Sequence, residues 1–550
     1  MFNPERQLSQ FISSKVYKFL RNPVIFSNPF LRKLNEPPYA FMLANFFPFL
    51  FSTSEVNNFN PNYSIKKRED GSVELPRPEV GLVFRTNQRL NINSERHMSC
   101  FFMWGFNGIL DELVSESDTL KEIVLFIRSL LSDKVQLILR SPIEINILDG
   151  VENINVELME DEEKQKYLYD PAKYNGRSGW RTEIIANDGV KKWEIMNISF
   201  LDYNGIRLLN AGGSLERLMA FIEDVSTVYN TSIYPLDQIK KYLSQHQTID
   251  EKNIYQILNL LRFYITVSLF SENNKLQDNQ KKFIKEMSNH SLKLLIEKLF
   301  NLDINKFNDF YNLFFESLGY FYSFENYNDD QFLILFNKLI RNIQRAYLRF
   351  LKEKKIYLPE SELEEWSSLR IFFNGKLYKV TTGSFMYHHN QDNQDDLILF
   401  LVKEKNNSGE GFVLKTFGGK IRVDDENIRH GFKREISEEL FELRTINGRF
   451  VDENPIFDQL KEKYSQNDKE ILRLKKLLTS IGLLEPNSNV IIIIGEKSIN
   501  VVFPYKLESD LNARKIVKLF LNRDKDDLAL IIRTFVAEQG LLNVSWLNKI

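Results

Sequence analysis

The sequence predicts an α+β, multidomain protein, and three observations carry that prediction. At 550 residues the chain exceeds what one hydrophobic core organises, so roughly two to four domains are expected. Strand-like and helix-like apolar periodicities both occur, but in different stretches. The pattern changes twice, near residue 235 and again near residue 362, which divides the chain into 1–235, 236–362 and 363–550.

Residues 1–235 mix apolar strands, such as Val80–Phe84 and Ile195–Phe200, with helical stretches such as Thr119–Leu131 and Leu215–Val228. From 236 to 362 strand signals fade. Apolar residues recur there at three and four, as in Ile254, Ile257, Leu258 and Leu261, and in Leu333, Leu335, Phe336, Leu339 and Ile340. That spacing predicts a helical domain, with polar breaks at Ser271–Lys281 and Asn326–Gln331 as inter-helix loops. After Trp366 come short strands at Leu369–Phe373 and Leu397–Val402 and polar loops at His389–Asp396 and Lys403–Gly411. A glycine pair, a carboxylate-rich helix and the apolar strand Val490–Ile494 follow, which predicts a separate α/β domain.

Composition excludes several classes. A formal charge of −2 does not describe a strongly basic nucleic-acid binder or an acidic tail protein. The single cysteine, Cys100, rules out an internal disulfide framework and a Cys-rich zinc site, and is expected to be a buried thiol; a reducing, cytoplasmic setting is expected. The most apolar stretch, Tyr39–Phe51, is interrupted by Asn45 and Pro48 and is shorter than the roughly 20 residues a membrane span needs, so it is read as core. Glu5, Arg6 and Gln7 stand where an export signal needs an apolar run, so no export signal and no membrane association are expected.

The richest chemistry lies near the C-terminus. Gly418-Gly419-Lys420 is followed by Glu426 and, after seven intervening residues, by Arg434-Glu435-Ile436-Ser437-Glu438-Glu439. On a helix, Glu435, Glu438 and Glu439 stand at i, i+3 and i+4 and share one face. Three carboxylates so placed repel one another unless a cation sits between them, and hard oxygen ligands suit Mg²⁺ or Mn²⁺. Such an ion can neutralise a pyrophosphate and activate water. Phe432, Ile436, Leu440 and Leu443 form an apolar stripe that would anchor the helix, and Gly418-Gly419 permits a tight loop near phosphate. The bland alternative is a solvated acidic helix face.

The whole string resembles the Nudix box, G-x5-E-x7-R-E-U-x-E-E-x-G-U with U aliphatic, and the resemblance extends over about residues 365–550. It implies an α/β/α Nudix fold and a catalytic set of Glu435, Glu438, Glu439 and Arg434. The three glutamates would be metal ligands, Glu426 an auxiliary ligand or structural acid, and Arg434 the group orienting a carboxylate. Gly418, Gly419 and Lys420 would form the phosphate loop. Two departures matter: six residues rather than five separate Gly419 from Glu426, and Phe441-Glu442 replace the glycine and aliphatic residue. The segments Glu538–Leu542 and Val544–Trp546 resemble the family's terminal strand.

In the N-terminal half three collinear segments resemble the catalytic domain of alanyl-tRNA synthetase, a class II synthetase built on an antiparallel sheet. They are Thr86–Arg89 with His97–Gly105; Gly176–Ile184 with Trp193–Phe200; and Asn210-Ala211-Gly212-Gly213-Ser214-Leu215-Glu216-Arg217-Leu218, followed by Val228–Thr231. The resemblance spans roughly 40–350. It implies a nucleotide site of Arg89, Arg217, Glu216, Gly212 and Gly213, and an amino-acid pocket of Asn210, Asn197 and Glu183. Amino-acid activation attacks the α-phosphate of ATP, which needs cations near the triphosphate and a glycine-lined approach. The bland alternative for the third segment is the start of an ordinary helix. Here too there are departures: Asn210 replaces the Asp that holds the substrate ammonium, weakening that contact by about 1–3 kcal/mol. Phe102 replaces a Glu, and Ile92 replaces the motif-two arginine, leaving Arg85, Arg89 and Arg96 nearby. The family's editing domain, zinc cluster and oligomerising segment have no counterpart.

His388 and His389 are adjacent; on a strand they point to opposite faces and cannot share one ion. The basic clusters Lys66-Lys67-Arg68 and Lys352-Glu353-Lys354-Lys355 read as solvated faces. The expectation that follows is a bifunctional nucleotide enzyme. A synthetase-like module would bind ATP as a substrate and activate an amino acid or other carboxylic acid. A Mg²⁺-dependent Nudix domain would hydrolyse a nucleoside diphosphate linked to another group. The alternative is a Nudix hydrolase whose synthetase-like half is inactive and binds a ligand or tRNA; tRNA is a partner that the balanced charge does not support. A non-enzymatic interaction protein is the third reading, and the intact glutamate set argues against it. No oligomeric face is legible.

Overall fold

The computed structural model describes residues 24–26, 64–84 except 77, 94–145, 151–170, 178–231 except 204, 249–273, 278–322 except 305, 330–389, 396–405, 412–415, 418–439, 448–450, 465–507 and 529–535, with isolated positions between them. These residues form ten helices and two mixed sheets in two compact units, Met1–Glu325 and Asn326–Ile550. The stretches Tyr39–Phe51, Thr86–Arg89 with Ile92, Gly176-Arg177 and Glu538–Trp546 lie outside the described residues.

The first unit is built on an 11-stranded sheet. Its strands are β1 (Val24–Phe26), β2 (Ser64–Lys67), β3 (Val73–Glu74), β4 (Glu79–Phe84), β5 (Cys100–Leu110), β6 (Gln136–Ser141), β7 (Ile154–Leu158), β8 (Leu168–Tyr169), β9 (Ser178–Asn187), β10 (Lys192–Tyr203) and β11 (Ile206–Ser214). They run in the order β1-β4-β5-β11-β10-β9-β6-β7, parallel at β1/β4, β2/β5 and β6/β7 and antiparallel through the centre. Turn chemistry sets the central meander. Between β9 and β10, Asp188 Oδ1 accepts the Val190 and Lys191 amides and Gly189 takes φ +87°; between β10 and β11, Gly205 takes φ +78°.

Register gives this sheet two unlike faces. One carries Trp104, Phe106, Leu209, Ala211, Ile198, Phe200 and Trp180 and is covered by α1 (Glu116–Leu130), whose Leu120, Ile123, Val124 and Ile127 are buried. Ser115 caps α1 by accepting the Asp118 amide at 2.9 Å, and Trp180 Nε1 donates to Glu116 at 2.6 Å. The opposite face carries Asn107, Asn197, Ser199 and Asn210 beside Gly105 and Gly212, and an apolar cluster of Leu201 and Leu208 with Ile109. Short helix α2 (Asp161–Lys164) precedes β8, and α3 (Leu215–Ile222) follows β11. The expected helix Leu215–Val228 is therefore shorter: it stops at Ile222, Asp224 takes φ +52°, and Val228–Asn230 form one 3₁₀ turn. Helices α4 (Glu251–Asn273), α5 (Asp278–Asn301) and α6 (Phe307–Tyr322) complete the unit.

The second unit opens with α7 (Asp330–Lys354) and α8 (Glu360–Ser367). Its sheet comprises β12 (Arg370–Phe373), β13 (Lys376–His389), β14 (Asp396–Lys405), β15 (Phe412–Lys415), β16 (Gly448–Phe450), β17 (Ile491–Ile494), β18 (Ser498–Leu507) and β19 (Ala529–Phe535). The order is β15-β14-β13-β18-β16, with β13 and β18 parallel; β12, β17 and β19 add to β13, β18 and β14. Helices α9 (Ile428–Glu439) and α10 (Lys469–Ser480) complete it. His388 and His389 are successive residues of β13.

Although its periodicity is that of the helical middle of the chain, α7 packs within this second unit. Phe336 meets Phe372 edge-on at 5.3 Å, and Tyr347 stacks on Trp366 at 3.8 Å. Asn337 exchanges two hydrogen bonds with the Phe372 backbone, and Gln344 Nε2 donates to the carbonyls of Trp366 and Ser368. The basic clusters at 66–68 and 352–355 are exposed. Among the described residues no helix is long and apolar enough to cross a membrane.

Candidate functional site

In the second unit the glycine pair and the carboxylate helix meet. Gly418 has φ +145°, and a Cβ there would collide with the Thr382 carbonyl of β13, so only glycine fits. The Thr382 amide donates to the Gly419 carbonyl at 2.9 Å. Gly419 lies against the Glu435 carboxylate so closely that a Cβ would occupy the space of Oε2. The loop and the first carboxylate of α9 are thus in contact. Lys420 is exposed, and its ammonium pairs with Glu364 at 2.5 Å.

The link between them runs through a turn at Arg422–Asp425, closed by the Asp425 amide donating to the Arg422 carbonyl at 3.1 Å. Asp425 is only 4% exposed and receives the Arg434 guanidinium in a two-pronged contact, Nε to Oδ1 at 3.1 Å and Nη2 to Oδ2 at 3.0 Å. The same guanidinium donates to the Lys420 carbonyl at 2.8 Å and to the Glu435 carboxylate. Gly431 makes room for this group, since a Cβ would stand 2.6 Å from Asp425 Oδ2. Burial alone would push the Asp425 carboxyl up; the bonds from Arg434 and from the Arg422 amide hold it below the usual range. Burial likewise works against the Arg434 charge, but its two carboxylate partners raise it above the ordinary arginine value.

Glu426, the expected structural acid, is exposed, and Asp425 makes the buried contact with Arg434. The sequence carried a signal for this. Five residues separate Gly419 from Asp425, whereas seven separate Glu426 from Arg434, and the two spacings of the box no longer converge on one residue. Asn427 starts α9, its Oδ1 accepting the His430 amide at 2.9 Å. Glu435, Glu438 and Glu439 follow at i, i+3 and i+4 on that helix. The side chains of Glu438 and Glu439 lie outside the described residues, and among the described ones no group of three or more His, Cys, Asp or Glu converges.

In the first unit, pairing sets the named residues in rows across one sheet face. One row runs Arg140 on β6, Glu183 on β9, Asn197 on β10, Gly212 on β11 and Gly105 on β5. The next runs Arg181, Ser199, Asn210 and Asn107. These rows bring amide, hydroxyl and charged side chains together on one face, an arrangement suited to a polar ligand. Arg140 pairs with Glu163 at 2.6 Å and with Glu183 at 3.5 Å, and the Tyr167 hydroxyl donates to Glu183. Burial pushes the Glu183 carboxyl up despite these partners. Asn197 Nδ2 donates to Glu194 at 2.5 Å, while its Oδ1 is buried and meets no donor among the described residues. Tyr169 and Ser199 share a hydrogen bond of 3.0 Å. Arg140, Tyr167 and Tyr169 had no motif to announce them.

Arg217 and Glu216 face elsewhere. Arg217 Nε donates to the Arg96 carbonyl and Nη1 to the Glu194 carbonyl, each at 2.9 Å. Glu216 is fully buried, accepts the Phe102 amide at 2.9 Å and pairs with Arg262 of α4 at 3.1 Å. Arg262 also lies over the Phe102 ring at 4.9 Å, and burial pushes the Glu216 carboxyl up. Gly213 is required by packing, because a Cβ would strike the Ile195 carbonyl. Arg89 lies outside the described residues. Cys100 is buried, and that burial pushes its thiol up to about 12, which removes it as a nucleophile. No protein-family model matches this chain, and no curated protein matches it significantly.

Proposed function

We propose that the second unit is a Mg²⁺- or Mn²⁺-dependent hydrolase of the Nudix type, cleaving a nucleoside diphosphate linked to another group. The observation that carries the reading is the contact of Gly419 with the Glu435 carboxylate, on a helix whose sequence continues to Glu438 and Glu439, with Arg434 fixed by Asp425. This donor set fits a hard divalent cation: all are carboxylates, and one already lies against the glycine pair. Glu435, Glu438 and Glu439 would hold the ion, which when bound supplies charge neutralisation and an activated water. Arg434 orients Glu435, and Gly418-Gly419 let the loop approach that carboxylate closely. Lys420 exchanges its Glu364 partner for a phosphate oxygen when substrate arrives. The test is a Mg²⁺-dependent screen over ADP-ribose, NADH, diadenosine polyphosphates and acyl-adenylates, with wild type beside Glu439→Gln. Cleavage that the substitution lowers by about 100-fold or more supports the assignment; equal rates in both proteins refute it.

For the first unit the synthetase-like reading makes the face of Asn107, Asn197, Ser199 and Asn210 a pocket for ATP and an amino acid or other carboxylic acid. A binding module without adenylation is the second reading, and one observation favours it. Glu216 and Arg217, expected at the nucleotide, are engaged by Arg262 and by backbone carbonyls. ATP–pyrophosphate exchange with candidate acids decides between them: exchange establishes activation, and ATP or tRNA binding without exchange establishes the binding module.

A further inference from the structure

We infer that Arg341 and Arg345, on a helix far in sequence from the Gly418–Glu439 motif, are positioning residues that set the register of the loop feeding α9, so that Asp425 rather than Glu426 holds Arg434. The catalytic consequence rests on the hydrolase reading above; the structural claim does not.

Between Gly419 and Glu426 the chain carries six residues where the resembling pattern has five, and the extra residue must be taken up before α9 begins. The turn at Arg422–Asp425 takes it up, and leaves the carbonyls of Val423, Asp425 and Glu426 outside the helix and the sheet ladder. Carbonyls removed from water need donors. Both arginines supply them. Arg341 Nη2 donates to the Asp425 carbonyl at 2.5 Å and to the Glu426 carbonyl at 3.1 Å, and its Nε to Val423 at 3.4 Å. Arg345 Nε donates to Val423 at 2.8 Å and Nη2 to Asp425 at 3.4 Å. A planar fork can hold several carbonyls at once, which a single ammonium cannot.

The placement is costly, which argues for a specific use. Two like charges stand one helical turn apart on α7, and burial together with the neighbouring Arg345 charge pulls the Arg341 guanidinium down to about 10. On the far side of the same turn, Asp425 presents its carboxylate to Arg434, which in turn holds Glu435 against Gly419. Among the described residues both arginines hydrogen-bond the turn through its backbone carbonyls, and in doing so fix which acid reaches Arg434. Slippage by one residue would bring up Glu426, one methylene longer, and displace the Arg434–Glu435 pair.

The experiment compares full-length wild type, Arg341→Gln, Arg341→Lys and Arg345→Gln by amide hydrogen exchange over residues 420–439 and by kinetics on the substrate found in the screen. Arg341→Gln is expected to speed exchange at 422–431 with the rest of the second unit unchanged. It should lower kcat roughly 10- to 100-fold, leave KM within about twofold, and raise the Mg²⁺ concentration for half-maximal rate. Arg341→Lys should recover little of this, and Arg345→Gln should show the same pattern more weakly. Unchanged local exchange in both glutamine variants overturns the inference, as does a loss of protection spread evenly over the unit. If wild type cleaves nothing, the hydrolase reading falls, and the exchange data alone decide whether the loop is set by these arginines.

Discussion

Asp425 concentrates several demands in one carboxylate. It accepts the Arg422 amide at 2.8 Å, receives both prongs of Arg434, and fits only because residue 431 is glycine. Its carboxyl lies below the usual 3.8 in the folded protein, so the ionised form favours folding. The stability it contributes is fully present above about pH 5 and is lost as pH falls below the unfolded value through the lowered folded one. Asp425→Asn should therefore cost about 1–3 kcal/mol at neutral pH and flatten the acid limb of stability, read by urea unfolding between about pH 3 and pH 7. An unaltered acid limb would assign that limb to other carboxylates. The sequence showed that something was irregular here, since six residues follow Gly419 before Glu426. It could not show the resolution, because the donors that fix the turn come from Arg341 and Arg345, some eighty positions away.

At the scale of elements, α4 is tied to the central sheet by polar pairs as well as apolar packing. Asn259 Oδ1 accepts the Ser99 amide at 2.7 Å and its Nδ2 donates to Ser99 Oγ at 3.0 Å, while Arg262 meets Glu216 with neither side chain more than 5% exposed. Breaking a buried pair from one side leaves a charge without its partner. Arg262→Ala should destabilise the first unit by about 3–5 kcal/mol, and Arg262→Met with Glu216→Gln should recover most of that loss in chemical denaturation. Failure of the double variant to recover would show that the pair also fixes the position of α4. Element types were largely legible from periodicity: β4, β10, β12, β14, β17 and α1 fall within a few residues of the expected segments. Pairing was not. The row joining Arg140, Glu183, Asn197 and Gly212 exists only once four strands are in register, and alternation reports a strand's faces without naming its neighbours.

For the whole molecule, the division into two compact units falls between residues 325 and 326, ahead of the composition change after residue 362. Periodicity could mark α7 as a helix but not its partner, since its apolar stripe of Phe332, Phe336, Ile340 and Tyr347 suits a sheet as well as another helix. Within the second unit it covers Phe372 and Trp366 and holds the loop at Val423. A fragment of residues 326–550 is thus expected to unfold cooperatively, and one of residues 363–550, lacking α7 and the first residues of α8, to lose that transition. Circular dichroism melts of the two fragments test this; equal transitions would make α7 dispensable.

The parallel pairing of β13 with β18 also has a kinetic side. Lys379 lies beside Ser498 and Tyr387 beside Lys506, so the centre of this sheet joins segments that leave the ribosome at well-separated times. Closing so long a loop must precede any return from its contacts, which slows folding relative to a helical bundle of equal size. Until β18 is made, Phe432 of the carboxylate helix lacks its partner Phe503, and β13 presents an open edge. The second unit therefore presents unpaired strand edge and apolar surface until β18 is in place, the condition under which partly folded chains aggregate.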